Sequence, residues 1–357
     1  MDMYELTSHM RSLINIINKE TSFNPNTITQ EKIEKLNDSV SASSAFKHAL
    51  GKYPSNIESE TFIIPVIDGA ITGYYFRKRG IREMSDVTPL IIFFHGGGWM
   101  FGNMNLYNNL CARLSDCTHA PVLSVDYRLA PKYKFPTAVE DCYSTLVWAA
   151  AGCRYWKIDP DRIYVIGDCA GANLAAVVSR LARDRKGPTI AGQVLICPIT
   201  DGRMRTASHE KFKDSPTLTD KQVAFYINQY AREPKDILNP NFSPLLGLDQ
   251  SRLPETLIIC AEYDPLRDDG SLYAQELIQA DTKATFLEVK NTVHGFIRYY
   301  KATGTDESFC AISQFVSGRP VDQVTLITHR EYEKALRREM SNLKRKNKHL
   351  IPIETES

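Results

Sequence analysis

The sequence predicts an α/β fold: a mostly parallel sheet with helices on both faces. Three observations carry that prediction. Short β-rich runs alternate with helical patterns through the middle of the chain, which implies parallel strands joined by helical crossovers. Pro89-Leu90-Ile91-Ile92-Phe93-Phe94 is a continuous apolar run, as expected of a strand buried on both sides. Gly167-Asp168-Cys169-Ala170-Gly171 joins the apolar run Arg162 to Ile166 to a strong helix former, Ala172 to Arg183. In such sheets the working groups gather at the carboxyl ends of the strands.

The elements follow in order. Leu6, Met10, Leu13, Ile14 and Ile17 recur at helical spacing, and Ile28, Ile33, Leu36 and Val40 form a second run. Asn24-Pro25-Asn26 separates the two. These N-terminal helices read as a lid or as extra cover for the core. Thr61 to Ile67 and Ile71 to Arg77 are β-rich and joined by Asp68-Gly69-Ala70, which predicts a hairpin. Strands are expected at Pro121 to Val125, Arg162 to Ile166, Gly192 to Ile196, Thr256 to Ala261 and Ala284 to Val289. Helices are expected at Leu106 to Thr118, Ala138 to Ala151, Ala172 to Arg185 and Ser271 to Ala280.

Two stretches break the alternation. Thr200 to Leu253 is longer than a simple crossover requires and holds an amphipathic run, Lys221 to Tyr230. It reads as an insertion that caps the site together with the N-terminal helices. Thr328 to Lys348 is dense in Arg, Lys and Glu, with Tyr332, Leu336, Met340 and Leu343 at helical spacing. That pattern predicts a charged surface helix, with nucleic-acid contact as the weaker alternative. The expected division is 1–55 N-terminal cap segment, 56–199 and 254–320 core, 200–253 cap insertion and 321–357 charged extension.

Composition narrows the function. The chain has 357 residues, 43% of them hydrophobic, and a formal net charge of +1. Such a balance gives no push toward nucleic acid or an anionic membrane. No stretch is long and apolar enough to span a bilayer. The acidic start, Met1 to Leu6, lacks an apolar core region, so no signal peptide is expected. Eight cysteines are scattered without C-x-x-C spacing, which disfavours a zinc site or a disulfide framework. A reducing cytoplasm is the expected setting.

Chemistry centres on the turn at 167–171. Strand, glycine-flanked turn and helix form the context of a nucleophile elbow. Cysteine stands where serine is usual. A thiol at a helix N-terminus has its thiolate favoured by the dipole and by free backbone N–H groups. The alternative is a buried cysteine in an ordinary strand-to-helix turn. His95-Gly96-Gly97-Gly98-Trp99 follows a buried strand. Its glycines let backbone N–H groups turn toward one point. With the N–H of Ala170, those of Gly96 and Gly97 are candidates to hold a developing oxyanion. His95 reads as structural. Asp264 and His294 each fall just past a strand end. Alone, Asp264 reads as a helix cap and His294 as a loop histidine. With the elbow and the glycine loop, they read as the acid and base of a Cys169–His294–Asp264 triad.

At this point the sequence resembles the bacterial hormone-sensitive-lipase-like esterases. The match runs from about Thr61 to Arg298. It takes in His95 to Trp99, Asp126-Tyr127-Arg128-Leu129-Ala130-Pro131 and Phe135-Pro136-Thr137-Ala138-Val139-Glu140-Asp141. It continues through the elbow, Ser243-Pro244-Leu245, Asp264-Pro265-Leu266-Arg267-Asp268 and His294-Gly295-Phe296. The resemblance implies an α/β-hydrolase fold with an eight-stranded core, a helical cap, no metal and no cofactor. It implies hydrolysis of carboxylic esters with short or medium acyl chains, and makes a homodimer plausible. Asp126 to Pro131 and Phe135 to Asp141 read as fold elements behind the site. Two departures stand out: Cys169 for the family's serine, and Ala172 for its usual second glycine.

The expected substrate is a small acyl ester or thioester. An esterase acting through an acyl-Cys169 intermediate is the first reading. A thioester is attacked well by amines and thiols relative to water, so an acyltransferase or cyclase is the second. A third is a serine esterase carrying an engineered cysteine at 169, where a site shaped for oxygen would misplace the larger sulfur. A receptor that kept the fold would lack the base, and His294 is present. Phe212, Phe225, Tyr226, Tyr230 and Phe242 are candidates for an acyl pocket or for cap core.

Overall fold

Strands that are apolar on both faces need cover on both faces, and the chain supplies it. The structure is a computed structural model that describes residues 4–23, 27–80 and 87–321. The Asn24-Pro25-Asn26 break and the charged extension after Val321 lie outside the described residues.

Eight strands form one sheet: β1 (Ile57–Val66), β2 (Gly69–Lys78), β3 (Thr88–Phe94), β4 (Val122–Val125), β5 (Ile158–Asp168), β6 (Gly192–Ile196), β7 (Glu255–Tyr263) and β8 (Ala284–Val293). Their spatial order is β1-β2-β4-β3-β5-β6-β7-β8. The expected hairpin is β1–β2, antiparallel, with Val66 opposite Gly69. β2 also pairs antiparallel with β4, and every later pair is parallel. This is the α/β-hydrolase sheet that the resemblance implies.

Alternation along β3 divides the core. Leu90, Ile92 and Phe94 face one side with Ile163 and Val165, against α5 (Thr137–Trp156), α6 (Ala170–Asp184) and α9 (Arg267–Gln279). Ile91 and Phe93 face the other with Tyr164 and Ile166, against α4 (Met104–Thr118) and α10 (Thr305–Val316). The five β3 residues Leu90 to Phe94 are fully buried. Period-two packing thus puts both faces of one strand into two separate clusters.

The N-terminal segment differs from the expectation of two helices. It forms three: α1 (Ser8–Thr21), α2 (Gln30–Ala42) and α3 (Ser44–Leu50). Ser43 ends α2 and caps α3, its side chain accepting from the N–H of Phe46. A serine that both ends one helix and starts the next hides the break from a periodicity count. Met10, Leu13, Ile14, Ile17, Phe46 and Leu50 join the same cluster as α4 and α10.

Between β6 and β7 lie α7 (Ala207–Lys211) and α8 (Asp220–Tyr230), with short 3-10 turns at Pro234–Leu238 and Pro244–Leu246. A capping box of Thr219 and Gln222 starts α8. Aromatic rings fasten this segment to the core. Trp99 stacks on Tyr230 with centroids 4.5 Å apart, and both pack against Phe242. Asn173 on α6 donates to the carbonyls of Ile199 and Phe242 at 2.9 and 2.8 Å.

A polar clamp holds α7, α8 and α9 together. His209, 3% exposed, presents Nδ1 to Asp220 Oδ1 at 2.5 Å and Nε2 to Asp269 Oδ1 at 3.5 Å. Burial alone opposes the imidazolium, but Asp269 and then Asp220 outweigh it and raise His209 to about 9. A raised folded-state pKa stabilises the fold fully below the unfolded value near 6.5, and the contribution is lost as pH rises through about 9. Thermal melts should therefore show Tm falling between pH 6.5 and 9.5. In His209→Gln the fall should flatten, with about 2 kcal/mol lost at pH 6.5. Equal slopes in the two proteins would contradict the clamp.

Candidate active site

Cys169 occupies the turn between β5 and α6 with φ 57° and ψ −115°, a conformation that L residues rarely adopt. The surroundings hold it there. A Cβ on Gly167 would lie 2.1 Å from the carbonyl oxygen of Gly171, and one on Gly171 would lie 2.0 Å from that of Phe94. Neither position tolerates a side chain, so the two flanking glycines are obligatory. The Cys169 N–H donates to Ile196 O at 2.8 Å, and Cys169 O accepts from the N–H groups of Ala172 and Asn173. Strand ladder and first helical turn thus meet at one residue, which projects its thiol above the sheet edge.

His294 follows β8 and is fixed at both ends. Its carbonyl accepts from Thr217 Oγ1 at 3.0 Å. Its Nδ1 lies 2.7 Å from Asp264 Oδ2. Asp264 is fully buried just past β7, and its Oδ1 accepts from the N–H of Leu266 at 2.9 Å. Asp264 uses one oxygen for each contact: Oδ1 closes the turn ahead of α9, whose own N-cap is Leu266 and not Asp264 as the helix-cap reading expected, and Oδ2 faces the imidazole. A carboxylate oxygen can only accept, so Nδ1 carries the proton. That leaves Nε2 for sulfur, and Cys169 and His294 line the same cavity. Burial taken alone would depress His294, but Asp264 and Cys169 outweigh it and hold the imidazole well above its ordinary value.

The glycine loop lies beside the sulfur, and Gly96, Gly97 and Cys169 line one cavity. Gly97 O accepts from the N–H groups of Met100 and Phe101, which curls the loop. The N–H groups of Gly96, Gly97 and Ala170 have no acceptor among the described residues. His95 is fully buried and stacked on Tyr127 at 4.3 Å, with Nδ1 donating to Gly96 O at 2.8 Å. Burial lowers its pKa. It braces the loop, and Tyr127 O–H does the same by donating to His95 O at 2.7 Å. Arg128 and Asp141 form an ion pair at 2.6 Å, and Ala130 N–H donates to Trp99 O. No residue of Asp126 to Pro131 or of Phe135 to Asp141 lines the cavity.

The cavity holds about 150 Å³. Ile17, Leu36 and Val40 from the N-terminal helices cover it, and Leu218 and Tyr226 close it from the insertion. Of the five aromatic candidates, Tyr226 lines the cavity. Phe212, Tyr230 and Phe242 are core residues, and Phe225 packs against Phe23 and Tyr226. Burial of the insertion's own apolar side claims them first.

Three residues at the site were not singled out from the sequence. Tyr107 O–H donates to Asp168 Oδ2 at 3.0 Å. Arg298 lines the cavity beside His294. Cys197, the first residue after β6, is fully buried with φ 45°. Its sulfur and the ligand atoms of Asp264 and His294 all lie within 4.8 Å of one another. Among the described residues this is the group whose spacing could hold a metal ion. The Asp264–His294 hydrogen bond already occupies it, and an ion there would break that bond. Burial, then the charge of Asp264, pushes the Cys197 thiol up to about 12, so it stays protonated. The visible signals were slight: a thiol ahead of Pro198 at a buried strand end, and a cation inside Phe296-Ile297-Arg298-Tyr299.

Comparisons place this geometry among known proteins. A family model described as alpha/beta hydrolase fold matches residues 91–298. An arylesterase of Saccharolobus solfataricus is 39% identical over 209 residues, which is 58% of this chain and 68% of that protein. The carboxylic ester hydrolase LipN of Mycobacterium tuberculosis is 38% identical over 266 residues, 71% of this chain and 69% of that one. The solved structure of a hyperthermophilic esterase from Pyrobaculum calidifontis matches with a TM-score of 0.77 at 33% identity, covering 88% of this chain and 97% of the other. No helix among the described residues is long and apolar enough to cross a membrane. With its sheet order, its strained elbow and these likenesses, the chain belongs to the α/β-hydrolase-fold family, among the hormone-sensitive-lipase-like esterases.

Proposed function

We propose that this protein hydrolyses carboxylic esters through a covalent acyl group on Cys169. One observation carries the reading: the His294 imidazole is hydrogen-bonded to the Asp264 carboxylate at 2.7 Å and shares one cavity with the Cys169 sulfur, which is among the groups that raise its pKa. That is the arrangement an activated nucleophile requires. The relatives are named for ester hydrolysis, which favours water as acyl acceptor over an amine or thiol. Residues 1–55 and 200–253 serve as the cap in this reading. The cavity walls given by Ile17, Leu36, Leu218 and Tyr226 support it.

The steps follow from the geometry. His294 takes the thiol proton, and the sulfur attacks the ester carbonyl carbon. The N–H groups of Gly96, Gly97 and Ala170 receive the oxyanion, each positioned before charge develops. The tetrahedral centre collapses, the C–O bond breaks, and His294 gives its proton to the departing alkoxide. Water then loses a proton to His294 and attacks the thioester, releasing a carboxylic acid and restoring the thiol. Asp264 keeps the imidazole in one tautomer throughout. A cavity of about 150 Å³ with an apolar lining fits a short or medium acyl chain.

Mixing with an activated butyrate ester should produce a transient mass increase of one butyryl group, located on Cys169. His294→Ala should lower kcat by at least about a thousandfold, and Asp264→Asn by a similar order through the wrong tautomer. An acyl group on another residue, or full turnover in His294→Ala, would contradict the mechanism. The Cys169 sulfur is one cause of the raised His294 pKa. In Cys169→Ser that contribution disappears, so the kinetic pKa assigned to His294 should fall, read from the pH dependence of kcat/KM. An unchanged or higher value would contradict the coupling.

A further inference from the structure

We infer that Arg298 forms a carboxylate-binding subsite beside the acylation site, so that the preferred esters carry an anionic group; this rests on the hydrolase reading above. The guanidinium stands among three rings, its Cζ 4.6 Å from the Tyr107 centroid, 5.5 Å from Tyr299 and 5.6 Å from Phe46. Its residue lines the same cavity as Cys169 and His294. Among the described residues no carboxylate lies within 4.0 Å of its nitrogens, and no acceptor hydrogen-bonds them. Nε is fully shielded and has no partner.

Three other arginines with largely covered side chains pair with carboxylates, whereas the buried Arg180 donates to Asn241 and leaves its own Nε without a partner. Arg128 meets Asp141 at 2.6 Å, Arg267 meets Asp268 at 2.9 Å, and Arg113 meets Asp306 at 3.2 Å. Unlike these, Arg298 lines the cavity, with three rings around its guanidinium and Asp168 acting on it without an ion pair. Aromatic faces attract a cation weakly and leave its N–H donors unsatisfied. A covered guanidinium without an anion is costly, and an arriving carboxylate removes that cost with two parallel N–H···O bonds. The charged groups lining the cavity are Asp168, His294 and Arg298. Asp168 is the acidic one: Tyr107 O–H donates to its Oδ2, burial raises its pKa while His294 and Arg298 act against that, and no ion pair or hydrogen bond joins it to Arg298. Ile17, Leu36 and Val40 supply apolar wall for the methylenes that would separate ester from carboxylate.

The carboxylate can sit on either side of the ester bond, and the substrates distinguish the two. One series is the monoethyl esters of malonic to adipic acid; the other is the butyrate esters of glycolic and 3-hydroxypropanoic acid. Each is compared with a neutral ester of matched chain length. For at least one anionic ester, kcat/KM should exceed that of its neutral match by about tenfold or more, mainly through KM. Within Arg298→Met and Arg298→Gln that ratio should collapse to near one or below, and Arg298→Lys should restore part of it. Because each ratio is internal to one variant, a loss of folded protein does not mimic the effect. Neutral esters preferred at every length, or an anionic preference surviving both Met and Gln, would overturn the inference while leaving the hydrolase reading intact. Failure of the parent protein to hydrolyse either class would overturn that reading, and this inference with it.

Discussion

An imidazole must be held in one orientation before it can pass a proton between a sulfur and a leaving group. Here that orientation depends on the 2.7 Å hydrogen bond between His294 Nδ1 and Asp264 Oδ2. Three separate strand ends have to converge for the bond and its sulfur neighbour to exist. β5 delivers Cys169, β7 delivers Asp264 and β8 delivers His294. Parallel neighbours β5, β6, β7 and β8 put all three on the same edge of the sheet. The two-sided core enforces that register, because slipping any of these strands by one residue would turn its apolar set the wrong way.

The site contains two thiols, and their surroundings set them apart. Cys169 lines the cavity at a helix start, as does His294 after β8. Cys197 is fully buried close to the same ring, and the Asp264 carboxylate helps keep it protonated. In the proposed mechanism Cys169 is the thiol that reacts, and Cys197 stays buried close to Asp264 and His294. The strain at Cys169 belongs to the same logic: the turn lifts one side chain clear of the sheet, and the carbonyls that crowd Gly167 and Gly171 leave it no easier conformation.

Much of this was legible in the sequence because each part left a local mark. Continuous apolar runs gave the central strands, and their alternation with helical patterns gave the parallel sheet. The glycine-flanked Cys169, the run Gly96-Gly97-Gly98 and the pair Asp264 and His294 are short motifs with fixed neighbours. What stayed hidden depends on three-dimensional packing. Ser43 splits one apparent helix into two by serving two caps. Tyr230 and Phe242 look like pocket residues but are consumed by stacking on Trp99. Cys197 and Arg298 matter through neighbours far away in sequence, which no local pattern records.

The central claim is that Asp264 and Cys169 act on one ring from opposite sides. Nitrogen-15 NMR of His294 measures this directly, in the parent protein and in Cys169→Ala. The account predicts a proton retained on Nδ1 across the titration, a titration point well above the ordinary imidazole value of 6.5, and a drop in that point when the sulfur is removed. An imidazole that titrates at its ordinary value, indifferent to the sulfur, would contradict it.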